Sequence, residues 1–230
     1  MERRDFIRIC AGSMGAGLAT NHAGPATAQQ FPRARLTLGD GAPVQAAALA
    51  ALRNYVFFYP FRTTPCFLLN LGRLVKPQAI KTAGIPEYEW PGGAGAARSV
   101  VSYSAICSHQ LTYPTRDISF ISFRAGKSPV NRFGDVIHCC SDHSQYDPAE
   151  GARVLAGPAP RPLAAILLEH DAQTDGLTAI GTLGPDVFNE FFRKYEFKLA
   201  LESGGRARQT TGETCVVTEL DNYCRQQVKC

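Results

Sequence analysis

Two short motifs constrain this chain most strongly: Cys107-Ser-His109 and Cys140-Ser-Asp-His143, each placed at the end of a predicted strand. A thiolate and an imidazole two or three residues apart on a tight loop can both reach a metal without distorting the backbone. One C-x-H would be weak evidence, but two ordered half-motifs supply two thiolates and two imidazoles. The sequence therefore predicts a metal centre held by Cys107, His109, Cys140 and His143.

The same residues allow other interpretations. A zinc site with two cysteines and two histidines is chemically possible, although structural zinc sites usually pair Cys with Cys and His with His at close spacing. A disulfide framework over these positions would leave both histidines unexplained. The thiolate of the second motif is also open, because Cys139 and Cys140 are adjacent. The C-x2-H spacing selects Cys140.

Short apolar runs between turn residues predict a mainly β domain, and 15 prolines and 21 glycines agree with many turns. The predicted strands cover residues 55–59, 66–71, 99–106, 118–123, 135–138, 164–169 and 177–180. The first two and the last two of these are expected to form hairpins. Helical spacing occurs only from 185 to about 201, where Phe188, Phe191 and Tyr195 share one face. Residues 76–98 are predicted to form a loop, and 203–208 a loose tail.

The N-terminus has the pattern of an export signal. Arg3 and Arg4 precede a weakly apolar run at 9–20 and a small-residue cleavage pattern at 26–28. Paired arginines resemble the twin-arginine type, which exports proteins already folded. We therefore expect residues 1–28 to direct the chain to the periplasm. The apolar run is too short to be a confident membrane anchor.

Residues 55–181 resemble the Rieske iron–sulfur proteins. Besides the two motifs, the segment around Phe58-Tyr-Pro60 and residues 177–181 resemble the small subunit of arsenite oxidase. Gly157-Pro158-Ala-Pro160 resembles the proline loop of the Rieske subunit in cytochrome bc1 complexes. The resemblance implies a Rieske-type antiparallel β-sandwich with a small cluster-binding subdomain (about 105–163) and a C-terminal helix. It also implies a [2Fe–2S] cluster whose thiolates hold one iron and whose imidazoles hold the other.

The resemblance implies roles for four further residues near the cluster. Ser144 and Tyr146 would donate hydrogen bonds to the cluster sulfurs, which stabilises the added electron and raises the reduction potential. Gly157 and Pro158 would belong to the loop that covers the cluster. Both hydrogen-bond donors are shifted by one position from the family pattern.

The sequence departs from the family in its second motif. Aligning residues 144–147 with the family's Ser-x-Tyr-Asp selects Cys139 as the thiolate and sets Asp142 opposite the histidine. Imidazole ligation favours Cys140 with His143. The further cysteines that commonly tie the two loops together are absent, and residues 114–134 form a long extra flap.

The implied function is one-electron transfer by a periplasmic subunit of a larger oxidoreductase, similar to the arsenite oxidase small subunit. Its partners would be a larger catalytic subunit, a cytochrome c, or both, and quinol is a further candidate. One alternative is the quinol-oxidising Rieske subunit of a bc1-like complex, and another is a zinc-stabilised binding module.

The small, unclustered net charge of +4 predicts no nucleic-acid partner. The expected division is a signal (1–28), an N-terminal arm (29–54), a Rieske domain (55–183) and a C-terminal helix and tail (184–230).

The remaining cysteines are less informative. Cys66 lies in an apolar strand and is predicted to be a core residue. Cys215 and Cys224 are able to pair in an oxidising compartment, which would leave Cys230 as the odd cysteine.

Overall fold

The computed structural model describes residues 28–230 of the chain. The predicted export signal therefore lies almost entirely outside the described residues. Within that range the chain is mainly β, with sixteen strands and two α-helices. The mainly β prediction is confirmed.

The strands are short, and most lie between turns rich in proline or glycine. In chain order they are β1 (Gln29–Thr37), β2 (Tyr55–Phe58), β3 (Pro65–Asn70), β4 (Gln78–Ile80), β5 (Tyr88–Trp90), β6 (Val100–Ser104), β7 (Ile118–Ser119), β8 (Ile121–Arg124), β9 (Val136–Cys139), β10 (Ser144–Asp147), β11 (Arg153–Ala156), β12 (Ala165–Asp171), β13 (Gly176–Leu183), β14 (Thr214–Val216), β15 (Thr218–Glu219) and β16 (Gln226–Gln227). The helices are α1 (Val187–Ser203) and α2 (Leu220–Tyr223), and a 3₁₀ turn covers Ala46–Ala48.

Eight strands form one large sheet in the order β14-β1-β13-β12-β6-β3-β2-β15. Its predicted hairpins β2–β3 and β12–β13 are both antiparallel, as expected. The two edge strands, β14 and β15, are separated in sequence only by Val217. Because one residue spans so short a distance, the sheet curls until its two edges meet.

A second, smaller sheet has the order β11-β10-β9-β8, and all its neighbours are antiparallel. It contains the strands on both sides of the second motif. Two further ribbons complete the chain: β4 with β5, and β16 with β7.

The large sheet separates two apolar cores, because successive strand side chains point to opposite faces. In β3, Leu68 faces one core and Phe67 faces the other. The first core is covered by α1, which contributes Phe191. The second core lies against the small sheet, which contributes Ile137. The small sheet and α1 therefore cover opposite faces of the large one.

Helix α1 forms where its apolar spacing predicts it. Asp186 accepts a hydrogen bond from the backbone N–H of Asn189 at the first turn, and Gly204 ends the helix in the left-handed conformation. Its buried residues are Val187, Phe188, Phe191, Phe192 and Leu199. Among residues 28–230, no helix is both long and apolar enough to cross a membrane.

Three segments differ from the sequence prediction. The expected arm begins with β1, which pairs with β13 and β14 and buries Ala34 and Leu36. The expected loop at 76–98 contains the β4–β5 hairpin, where Tyr88 and Trp90 are buried. The expected loose tail is followed by three more strands that pair with β1, β2 and β7. All three depend on partners distant in sequence, which local patterns do not reveal.

Candidate metal centre

A tight loop after β6 positions Cys107 and His109. The backbone N–H of Cys107 donates to the carbonyl of Thr112, and the N–H of Leu111 donates to the carbonyl of Cys107, so the loop closes at its base. Leu111 has a left-handed backbone with φ of 57°. Cys107 is fully buried, whereas 38% of the His109 side chain is exposed. The loop thus holds the thiol inside and the imidazole at the surface.

The second loop connects β9 to β10, whose Cys139 and Ser144 are register partners. Ile137 and Cys139 face the apolar core, as alternate strand residues do. The following residue, Cys140, leaves on the other side, and its N–H donates to the carbonyl of Phe120. The pleat of β9 therefore selects Cys139 as the inward thiol.

Four potential ligands of different chemistry converge between these two loops. The sulfurs of Cys107 and Cys139 and a carboxylate oxygen of Asp142 all lie within 4.8 Å of one another. Asp142 Oδ2 is 2.9 Å from His109 Nδ1 and 3.2 Å from Cys107 Sγ. Two thiols, one imidazole and one carboxylate therefore meet at one half-open site.

The structure does not bring the four sequence-predicted ligands together. Cys107 and His109 lie at the site, but Cys140 is disulfide-bonded to Cys230, with their Cα atoms 5.6 Å apart. The His143 side chain lies beside His138, with the ring centroids 5.9 Å apart.

Strand alternation is the physical reason for this difference. Cys139 and Cys140 are adjacent, so only one of them can face Cys107. The arrangement matches the alternative alignment, in which Cys139 is the thiolate and Asp142 stands opposite the histidine. The identity of the metal ligands stays a prediction.

Tyr146 and Ser108 form hydrogen bonds around the Cys107 sulfur. The Tyr146 hydroxyl lies 3.3 Å from Cys107 Sγ and accepts a hydrogen bond of 3.2 Å from the N–H of Ser108. Ser108 Oγ donates to the carbonyl of Arg161 at 2.6 Å. Tyr146 therefore lies against a ligand-type sulfur, that of Cys107, while its predicted hydrogen bond to the cluster sulfurs stays a prediction. Ser108, which no sequence motif indicates, holds the Tyr146 hydroxyl in place.

Ser144 and Gly157 attach the proline-rich loop to β10. The Ser144 hydroxyl accepts a hydrogen bond from the N–H of Ala159 at 3.1 Å. Gly157 has φ of +88°, and a Cβ there would lie 2.5 Å from the Cα of Ser144. Pro158 is exposed beside it. The predicted covering loop therefore lies directly on the strand that follows the second motif.

Hydrogen bonds among Cys107, Cys139 and Asp142 shift the pKa values of all three groups. A hydrogen bond from Cys139 lowers the pKa of Cys107 to about 7, despite burial, and Tyr146 adds to this effect. The same contact and burial raise the pKa of Cys139. Burial acts to raise the pKa of Asp142, but hydrogen bonds from the N–H of Ser144 and from Cys107 and His109 keep it below its ordinary value. Once Cys107 loses its proton, its sulfur and the adjacent Asp142 carboxylate are suited to bind a cation.

The sequence does not predict the disulfide between Cys140 and Cys230. Among residues 28–230, Cys66, Cys107, Cys139, Cys215 and Cys224 are free. Cys215 and Cys224 donate to separate backbone carbonyls, those of Phe58 and Gln226, and do not form the bond considered above. Cys66 is buried in a core, as predicted. No local pattern links Cys230 to Cys140, since β16 reaches the site by pairing with β7.

No protein-family model matches the chain. Among solved structures, the chain is similar to the soluble domain of Rieske protein II (soxF) from Sulfolobus acidocaldarius. The two are 27% identical, the match covers 66% of this chain and 78% of that one, and the TM-score is 0.48.

Proposed function

We propose that this protein is a one-electron carrier that binds a [2Fe–2S] cluster between its two loops. The observation that carries the proposal is the convergence of two buried, free thiols, Cys107 and Cys139, with the imidazole of His109. Such a cluster requires thiolates on one iron and accepts imidazole on the other. When bound, it takes up one electron and releases it again.

The surrounding residues fit this role. The Tyr146 hydroxyl, which Ser108 holds in place, lies within hydrogen-bond distance of the Cys107 sulfur. A donor at a ligand sulfur stabilises the reduced form of a cluster and raises its reduction potential. The thiols lie inside, whereas the His109 ring is partly exposed. The imidazole edge is therefore the side on which a redox partner would dock.

We infer that the carrier works in the periplasm as the electron-transfer subunit of a larger oxidoreductase. The Arg3-Arg4 leader pattern supports export. The Cys140–Cys230 disulfide supports it independently, because disulfides persist in oxidising compartments. The electron would come from the metal centre of a larger catalytic subunit, as the resemblance to the arsenite oxidase small subunit implies. It would pass to a cytochrome c, so that the carrier ends each cycle unchanged.

Zinc is a second candidate, because two thiolates, one imidazole and one carboxylate also form a suitable tetrahedral donor set. In that case the protein would be a zinc-stabilised binding module without a redox role. The two candidates differ in the metal that the isolated protein contains.

Metal and sulfide analysis of anaerobically purified protein tests the proposal. We expect about two irons and two acid-labile sulfides per chain, and an EPR signal that appears on one-electron reduction. Cys107→Ser should lose the iron, whereas Cys66→Ser, which changes another buried free thiol, should retain it. Stoichiometric zinc without sulfide would support the binding module instead.

Location and partner need a separate measurement. The full chain, expressed with its own leader, should be recovered in the periplasmic fraction together with a larger subunit. Release from membranes by salt fits the subunit of a larger oxidoreductase. Release by detergent alone would favour the quinol-oxidising alternative.

A further inference from the structure

Asp142 holds an unusual position for a carboxylate. Only 2% of its side chain is exposed, although a buried charge is costly without partners. One oxygen, Oδ1, accepts a hydrogen bond from the backbone N–H of Ser144 at 2.9 Å. The other, Oδ2, points at His109 Nδ1 and Cys107 Sγ. The backbone therefore orients this carboxylate so that one oxygen faces the other donors.

The second histidine occupies a different place. His143 is exposed, has a left-handed backbone with φ of 60°, and lies beside His138. The loop that carries it is fixed at one end by the disulfide of Cys140 and at the other by the pairing of Ser144 with β9. The fixed loop thus presents Asp142, and not an imidazole, to the two thiols.

We propose that Asp142 is the fourth ligand of the cluster, which is then held by two thiolates, one imidazole and one carboxylate. This inference rests on the proposed function and adds a ligand set to it. His109 would be the sole imidazole ligand, and His143 would lie outside the coordination sphere. The carboxylate has both the position and the chemistry for an iron ligand.

A carboxylate ligand in place of the second imidazole would change the reduction potential of the cluster. An imidazole ligand is neutral, whereas a carboxylate brings a full negative charge to the iron that it binds. Negative charge at the cluster stabilises the oxidised form, so the reduction potential should be lower than with two imidazoles. The carrier would therefore be suited to a strongly reducing donor.

Counting the nitrogen ligands tests the inference directly. In reduced holoprotein with ¹⁵N-labelled histidine, pulsed EPR should detect one directly coordinated imidazole nitrogen. His143→Ala should leave that count and the reduction potential unchanged. Asp142→His should add a second coordinated nitrogen and raise the potential.

Two results would overturn the inference alone: two coordinated nitrogens in the wild-type protein, or the loss of one in His143→Ala. An absence of iron and sulfide in the wild-type protein would overturn the proposed function and this inference with it. The first two measurements leave Asp142 and the other three proposed ligands intact. They therefore decide whether a second imidazole binds the cluster even if Asp142→His fails to load it.

Discussion

Cys139 and Cys140 are neighbours in the chain, yet they serve different parts of the molecule. The β9 pleat turns Cys139 toward the core and Cys107, while Cys140 bonds to Cys230 on the other side. A shift of the strand by one residue would exchange these environments. The register partners Cys139 and Ser144 fix which thiol faces inward.

Exchanging each cysteine in turn should separate their roles. We expect Cys139→Ser to abolish iron and sulfide binding, because it removes a thiolate from the site. Cys140→Ser should retain the cluster and its visible spectrum, although the protein should be less stable. Cluster loss in Cys140→Ser together with retention in Cys139→Ser would show that the C-x2-H spacing identifies the ligand.

Spacing along the chain placed Cys107 and His109 on one loop, because they are close in sequence and follow a recognisable strand. It did not determine which of two adjacent cysteines faces inward, since that depends on how β9 pairs with β8 and β10. The alternative alignment, which matches residues 144–147 to the family's Ser-x-Tyr-Asp, does indicate the inward cysteine. It indicated Cys139 and Asp142 because the strand after the motif, unlike the motif itself, fixes the register.

At the scale of elements, the loop at 157–160 lies on β10 without an intervening side chain. Gly157 permits this approach, since the nearest atoms to a Cβ there would be the Cα of Ser144 and the carbonyl oxygen of His143, at 2.5 and 2.7 Å. Both are backbone atoms, which cannot rotate away. The glycine therefore positions the loop next to the residues that follow the second motif.

We expect Gly157→Ala to destabilise the protein by roughly 2 kcal/mol or more, from the left-handed backbone and the clash together. Gly126→Ala is the matched control, because a Cβ there meets nothing within 4 Å. Urea unfolding of the two variants and the wild type provides the comparison. Equal free energies of unfolding for Gly157→Ala and Gly126→Ala would contradict the close packing of this loop.

The elements that the sequence predicts correctly are those with a local signal. The β2–β3 and β12–β13 hairpins have partners nearby in sequence, and α1 has a regular apolar face. The sequence does not predict strand β1, because its partner β13 follows about 150 residues later, as the register pair Gln30 and Gly181 illustrates. Its burial is a property of the assembled sheet.

At the scale of the whole molecule, residues 214–230 connect parts of the fold that are distant in sequence. Strand β14 pairs with β1 at one edge of the large sheet, β15 pairs with β2 at the other, and β16 pairs with β7. The chain then ends in the disulfide to Cys140, beside the candidate metal centre. A segment predicted to be a helix and tail thus links both sheet edges and the site.

The Cys140–Cys230 bond should stabilise the folded protein, since it joins residues 90 apart in sequence. Restricting so long a loop in the unfolded chain contributes about 2–4 kcal/mol. We expect Cys230→Ser to lower the free energy of unfolding by this amount in urea titrations under non-reducing conditions. The neighbouring change Lys229→Ser should have little effect, because it leaves the bond intact. Combining Cys230→Ser with Cys140→Ser should cost little more than either alone, because one bond is lost in each case. Fully additive losses would mean that the two cysteines stabilise the protein separately and that the bond does not form.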